Sequence, residues 1–272
     1  MISMEKVYSG YGERDILKDI NLDFRKGEMV AVLGPNGSGK TTLVSTISGI
    51  LSPSLGSVKI LNRSAREYSR KDLARIMAVI PQRVELSFDI TVRDMVLMGR
   101  YAYTGWFSGY GNEDYSKCFE AMEKTSVAHL ADRSIKVLSG GEFQRVLIAR
   151  AVAQATSMMI LDEAASGIDV SGKIEIFNLL RLLASGGTGI ISVIHDLNLA
   201  SVYFDRLIFF KNGQVVLDGK PSEIITEENI AYVYDADVRI VKHPELGLPQ
   251  VLFNPAAVDT VCRNSKCRNK DS

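Results

Sequence analysis

Short apolar runs separated by turns set the pattern at the start of the chain. Residues 28–33 (Glu-Met-Val-Ala-Val-Leu) carry almost no polar alternation, which predicts a strand buried on both faces. A glycine-rich stretch follows, and from about 39 to 48 the apolar residues recur at helical spacing. Residues 57–61 and 76–80 read as two further strands. A strand that passes directly into a helix predicts a parallel α/β core. From about 83 to 155 the character changes: residues 92–98, 113–125 and 141–153 read as helices with few strand signals between them, predicting a mostly helical insertion. The strand pattern returns at 158–161, 189–194 and 206–210, with a helix over 174–183 between the first two. Asn212-Gly213 between two apolar runs predicts a tight hairpin. Beyond about 235 come short strand-like pieces and then a polar tail at 263–272.

A length of 272 residues suits one domain with an inserted or appended part. Thirty-two basic and 32 acidic residues cancel, so no global basic field argues for nucleic acid as a partner. The longest apolar runs have the length of buried strands, well short of the ~18–20 residues that cross a bilayer. The start, Met1-Ile2-Ser3-Met4-Glu5-Lys6, lacks the plan of a signal peptide. The expectation is a cytoplasmic chain whose membrane role, where it has one, comes through a partner. Three cysteines are too few for a disulfide scaffold. Cys118 reads as a small apolar helix residue. Cys262 and Cys267, in the basic tail, read as free thiols, because structural zinc takes four ligands and no histidine stands near them.

Three motifs carry chemistry. Gly34-Pro35-Asn36-Gly37-Ser38-Gly39-Lys40-Thr41 fits the phosphate-binding pattern G-x-x-x-x-G-K-[ST], with a predicted strand before it and a helix after it. Its glycines let the backbone aim N–H groups at phosphates, the helix N-terminus adds partial positive charge, Lys40 reaches the outer phosphates and Thr41 offers a hydroxyl to Mg²⁺. About 120 residues later, Met158-Met159-Ile160-Leu161-Asp162-Glu163 is an apolar strand ending in two acids. Asp162 suits Mg²⁺ and Glu163 suits an attacking water. Between them lies Leu138-Ser139-Gly140-Gly141-Glu142, a second glycine-rich turn that opens a helix. In isolation it reads as a serine N-cap with flexible glycines. One nucleotide does not need two phosphate cradles in one subunit, so the alternative is a second copy in which each Ser-Gly-Gly turn closes over the nucleotide held by the other chain.

Together, and in this order, these motifs resemble the ATP-binding cassette (ABC) family over about residues 1–236. The resemblance implies an α/β fold: a P-loop (RecA-like) core sheet with an N-terminal antiparallel β subdomain and an inserted α-helical subdomain at about 84–155. Residues 237–272 then form a C-terminal extension ending in the polar tail. It also implies further site residues. Tyr11 would stack on adenine, or else pack as a strand-edge tyrosine. Thr42 joins the phosphate loop. Gln82 matches the glutamine that senses Mg²⁺ and links the core to the helical insertion. Asp169, in Ser166-Gly167-Ile168-Asp169, matches the loop that crosses the dimer interface, and His195 matches the histidine that contacts the γ-phosphate. Lys40, Glu163 and His195 are the implied catalytic groups, and Thr41, Gln82 and Asp162 the implied Mg²⁺ site. Ser139, Gly140, Gly141, Glu142 and Asp169 are supplied in trans. Two departures stand out: Ala164-Ala165 replace the usual Pro-Thr, and Gly167-Ile168 replace the usual Ala-Leu. Losing the proline loosens a turn beside Glu163 and points to a differently tuned rate.

A narrower similarity lies in His195-Asp196-Leu197-Asn198-Leu199-Ala200, in residues 91–101 and in Gly247-Leu248-Pro249-Gln250-Val251-Leu252. These resemble importer ATPases for iron–siderophore, haem and cobalamin uptake. The partners implied are a second copy of the chain, transmembrane permease subunits and, indirectly, a substrate-binding protein, at the cytoplasmic face of the membrane. The aromatic-rich stretch 101–115 reads equally as a docking surface and as core of the helical insertion. A chromosome-maintenance ATPase would need long coiled coils between the motifs, and about 120 residues leave no room for them. A translation-type member usually carries two cassettes. An ATP-gated module without hydrolysis, or an exporter subunit, is the remaining alternative, and phosphate release separates the first of these from an ATPase.

Overall fold

The computed structural model describes residues 1–12, 14–82, 84, 89–105, 109–163 and 168–254. The predicted interface residues Ser166 and Gly167, the Ala164-Ala165 departure and the tail with Cys262 and Cys267 lie outside the described residues. Twelve described strands occur in chain order: β1 (Ile2–Tyr11), β2 (Arg14–Phe24), β3 (Met29–Leu33), β4 (Leu55–Ile60), β5 (Arg63–Ser64), β6 (Met77–Ile80), β7 (Met158–Asp162), β8 (Gly189–Val193), β9 (Arg206–Lys211), β10 (Gln214–Gly219), β11 (Val238–Lys242) and β12 (Pro249–Phe253). The helices are α1 (Lys40–Ile47), α2 (Arg70–Ile76), α3 (Val92–Leu97), α4 (Asn112–Lys124), α5 (Gly140–Ala153), α6 (Val170–Ser185), α7 (Leu197–Tyr203), α8 (Pro221–Ile224) and α9 (Glu227–Tyr234).

Six strands form the central sheet in the order β10-β9-β3-β8-β7-β6. Every pair from β9 across to β6 is parallel, and β10 turns back antiparallel on β9. Strands β3, β7 and β8 are buried at every position, as expected of parallel strands covered on both faces. Side-chain alternation along them divides the interior in two. Met29, Ala31 and Leu33 face a core shared with α3, α4, α5 and α6. Val30 and Val32 face a second core with Leu43, Val44 and Ile47 of α1 and with the N-terminal sheet. That sheet, ordered β2-β1-β4-β5, is antiparallel throughout.

Helices α3 and α4 both pack on α5, and α5 reaches back to β6, so the helical segment shares one continuous core with the sheet. Arg100 is buried there. Its Nε donates to Asp114 Oδ1 at 2.9 Å, its Nη1 donates to Ala153 O at 3.1 Å, and its guanidinium lies 3.9 Å from the Tyr103 ring centroid. Six of these helices begin on a side chain that accepts a backbone N–H: Ser69 for α2, Thr91 for α3, Ser139 for α5, Asp169 for α6, Asp196 for α7 and Thr226 for α9. After α9, the hairpin β11–β12 packs Val238 and Val251 against Ile230 and Val233.

Candidate functional site

Helix α1 departs from that capping pattern. Gly39 precedes it at φ 108°, with no side-chain cap and no acid in the first turn. The first-turn amides and the positive end of the helix dipole are therefore not neutralised by the chain's own side chains, an arrangement that favours an anion. Gly34 also sits at a left-handed φ of 140°, and a Cβ there would lie 2.2 Å from Phe210 O, so the loop hugs the end of β9. Lys40 is buried, and its Nζ donates to Gly34 O and Pro35 O at 2.9 Å each, across the mouth of the loop. Burial pulls its ammonium below the usual lysine range, against the pull of Glu163 and then Asp162 in the other direction. Asn36, Gly37 and Thr41 are exposed, while Ser38 and Thr42 are buried.

The parallel topology collects the remaining groups. Ligands of open α/β sheets bind at the C-terminal ends of the strands. Asp162 ends β7, Gln82 follows β6 by two residues, His195 follows β8 by two, and the glycine loop leaves β3. Glu163 is held between two partners. Gln82 Nε2 donates to Glu163 Oε2 at 2.6 Å, and His195 Nε2 shares a 2.6 Å hydrogen bond with Glu163 Oε1. Glu163 adopts φ 54°, a left-handed backbone that costs a non-glycine residue about 1–3 kcal/mol and persists at sites where the surroundings enforce it. Sequence reasoning named Glu163, Gln82 and His195 separately; the structure joins them in one hydrogen-bonded chain.

Asp162 is 3% exposed, and its Oδ1 is buried without a hydrogen-bond partner. Burial raises its carboxyl above the usual range, the Thr41 hydroxyl lowers it, and Glu163, Lys40 and His195 add smaller effects. A buried carboxylate oxygen awaiting a partner, beside a threonine hydroxyl, fits a divalent cation. Among the described residues, no group of three or more His, Cys, Asp or Glu side chains is placed to hold a metal ion by itself. This donor set suits Mg²⁺, which keeps water and phosphate oxygens in its octahedral shell rather than an all-protein cage.

Other predicted residues stand apart from this cluster. Tyr11 ends β1 with 56% of its surface exposed. Ser139 and Glu142 bond each other: Ser139 N donates to Glu142 Oε2 at 2.8 Å, and Glu142 N donates to Ser139 Oγ at 3.3 Å. The Ser139 N–H holds the Glu142 carboxyl below the usual range. Gly140 is exposed and Gly141 half-buried at the same turn. Asp169 accepts from Gly172 N at 2.8 Å and so caps α6. Within the single chain, the Ser-Gly-Gly turn thus has the bland geometry of a helix cap.

Two supports had no signal in the sequence. The Gly213 N–H donates to Ser38 O at 3.0 Å, and Gly213 O accepts from Lys18 N at 2.8 Å, so the β9–β10 turn props the phosphate loop from behind. Tyr234, at the end of α9, keeps its hydroxyl buried near the Gly34 backbone without a hydrogen-bond partner among the described residues, and burial pushes its pKa up to about 12, with the Gly34 backbone pulling the other way.

Comparison with known proteins identifies the family and the fold. The ABC transporter family model matches residues 17–166. An uncharacterized ABC transporter ATP-binding protein of Bacillus subtilis, YvrA, is 40% identical over 263 residues; the match covers 96% of this chain but 59% of that protein. The iron(3+)-hydroxamate import ATP-binding protein FhuC of the same organism is 37% identical, over 92% of this chain and 94% of the relative. Among solved structures, an inward-facing, metal-chelate type ABC transporter superposes with a TM-score of 0.81 at 26% identity, covering 94% of this chain and 98% of that one.

Proposed function

Because the chain belongs to the ABC transporter family as one of its ATP-binding proteins, we propose that it binds and hydrolyses ATP to energise an importer whose permease is a separate protein. The cargo proposed is a metal chelate or a related large cofactor: an iron–siderophore complex, haem or a cobalamin. A relative named for iron(3+)-hydroxamate import and a structural neighbour of metal-chelate type support that cargo class. The observation that carries the catalytic part is the Gln82–Glu163–His195 hydrogen-bonded chain at the strand ends.

In this reading Tyr11 stacks on the adenine, and residues 34–42 wrap the phosphates. Thr41, Gln82 and Asp162 are the residues that would hold Mg²⁺, which when bound would neutralise charge on the phosphates. Glu163 accepts the proton of the attacking water. Its left-handed backbone and two hydrogen bonds fix where its carboxylate points, which is the positional control such a step needs. His195 bridges Glu163 to the γ-phosphate. A second copy supplies Ser139, Gly140, Gly141, Glu142 and Asp169. Residues 1–236 form the ATPase domain, with the helical part at about 84–155, and 237–272 extend it.

The permease docks on the helical side, on the surface that carries Met98, Tyr101, Tyr115 and Phe119, all at least 39% exposed. A groove of about 370 Å³ opens at Met98 and Tyr101, walled on the other side by Lys71 and Ala74 of α2. Such an apolar patch with a polar rim marks an interaction surface. The chain works at the cytoplasmic face, held there by the permease; no described helix is long and apolar enough to cross a membrane.

The decisive experiment is Glu163→Gln. The amide keeps its shape but cannot take a proton, so ATP binding should persist while phosphate release falls by about 10²-fold or more. Wild-type turnover in this variant removes Glu163 from the reaction and with it the reading of the hydrogen-bonded chain.

A further inference from the structure

Helix α7 begins two residues after His195 and has only seven residues, too few to hold a position by itself. Its first turn is fixed from two sides. Locally, Asp196 Oδ1 accepts from Asn198 N and Leu199 N at 3.0 Å each. From the other side comes β12. Asn198 Nδ2 donates to Val251 O at 3.2 Å, and Val251 N donates to Asn198 Oδ1 at 2.7 Å. One carboxamide thus pairs with both backbone groups of one residue, as a neighbouring strand would.

The register explains why those groups are free to do so. Val251 lies opposite Ile240 in the β11–β12 ladder. Antiparallel ladders alternate pairs that bond each other with pairs whose N–H and C=O point outward. Val251 points outward to Asn198, and on the opposite edge Ile240 N donates to Glu227 Oε1 of α9 at 3.1 Å. The hairpin is therefore clamped on both edges at one level. Its inner face is sealed by Val238 and Val251, each 5% exposed, against Ile230 and Val233. A cavity of about 640 Å³ runs from His195 past Asn198 and Tyr234 to Val251, so Asn198 is the polar bridge across a gap between α7 and the hairpin.

We infer that Asn198 is a positioning residue for His195 and that the β11–β12 hairpin is its anchor. The inference rests on the role given above to His195 and extends it to a part of the chain that lies beyond residues 17–166. His195 shares its 2.6 Å bond with Glu163 from a stretch of backbone between β8 and α7, with 46% of its side chain exposed. Packing around the ring does not hold it; the placement of α7 does. A displacement of about 1 Å costs a reacting group on the order of 10²-fold, and the Asn198 clip removes that freedom.

The test compares Asn198→Ala, Asn198→Asp, His195→Ala and the double variant Asn198→Ala/His195→Ala in the full-length chain. Asn198→Ala should lower kcat about 10-fold, leave KM for ATP and the Kd of a fluorescent ATP analogue within twofold, and speed hydrogen exchange at the Val251 amide. Asn198→Asp, which keeps the acceptor for Val251 N, should recover most of kcat. In the His195→Ala background, Asn198→Ala should cost nothing further, because the residue acts through the histidine. Wild-type kcat in Asn198→Ala beside a crippled His195→Ala overturns the inference and leaves the role of His195 standing. Full additivity of the two losses overturns it as well. Normal turnover in His195→Ala removes the underlying role, and the inference with it.

Discussion

Single residues around the phosphate loop carry constraints that composition alone does not show. Gly213 stands at φ 82°, and a Cβ there would lie 1.8 Å from Ile16 O, a backbone atom that cannot step aside. Gly213→Ala should therefore push the β9–β10 turn away from Ser38 and loosen the loop that it props. The expected result is a loss of ATP affinity of about tenfold, read by titration with a fluorescent nucleotide, and a loss of stability of about 1–3 kcal/mol, read by thermal melting. Gly187→Ala is the matched control. That glycine also has positive φ, 96°, but its Cβ would meet nothing within 4 Å, so stability should fall while ATP affinity stays unchanged. Equal affinities in the two variants would show that the prop is irrelevant. The Asn212-Gly213 hairpin was legible in the sequence from its turn chemistry. Its contact with Ser38 was not, because it joins residues 175 positions apart through backbone atoms that every residue type carries.

Among the elements, the Arg100 knot ties the start of the aromatic segment to α4 and α5. The side chains of Arg100 and Asp114 are 6% and 14% exposed. The Gly111 N–H, and then Arg100, hold the Asp114 carboxyl below the usual range. Among the described residues, Asp114→Ala leaves the buried guanidinium with Ala153 O and the Tyr103 ring, and should destabilise the chain by about 3 kcal/mol, the low end for breaking a buried pair. The sign of the pH effect follows from the depressed carboxyl. The pair's contribution is complete above the unfolded-state aspartate range and is lost as pH falls through the lower folded-state value. Urea unfolding from pH 7 downward should thus show wild type and Asp114→Ala converging in acid. A gap that stays constant with pH would mean that the pair contributes no ionic stabilisation.

The same scale shows why some elements were legible and others not. Strands β3, β7 and β8 were visible because burial on both faces leaves unbroken apolar runs. Of the antiparallel N-terminal sheet, β4 was read from the pattern at 57–61, while β1, β2 and the sheet itself entered through the family resemblance. Strand β1 slips register between Met4 and Val7, between Val7 and Ser9, and again before Gly10, and each slip resets the two-residue alternation. Helix α2 escaped because it buries only Leu73, which gives no apolar stripe to detect. Helix α6 extends further toward its N-terminus than the periodicity predicted, because the Asp169 cap, rather than an apolar face, sets where it begins.

For the molecule as a whole, the sequence carried one argument that a single chain does not contain: two phosphate-facing turns and one nucleotide. In the chain alone, the Ser139–Glu142 box satisfies the Glu142 N–H and the Ser139 N–H. A helix has four unpaired N–H groups in its first turn, so the amides of Gly140 and Gly141 remain. Their missing side chains leave those amides open to an anion brought by another molecule, which is what a second copy holding ATP would present. The local cap and the proposed trans contact are therefore compatible: the cap shapes the turn, and the glycines keep it approachable. If so, Glu163→Gln with ATP and Mg²⁺ should double in mass by light scattering at micromolar concentration, since the nucleotide bridges two chains and is not consumed. Adding Ser139→Arg, whose long side chain fills the approach to the turn, should return it to a monomer that still binds ATP through its own loop. A dimer that survives Ser139→Arg would place the interface elsewhere, and a Glu163→Gln chain that stays monomeric with ATP bound would leave the turn at Ser139 as a helix cap and nothing more.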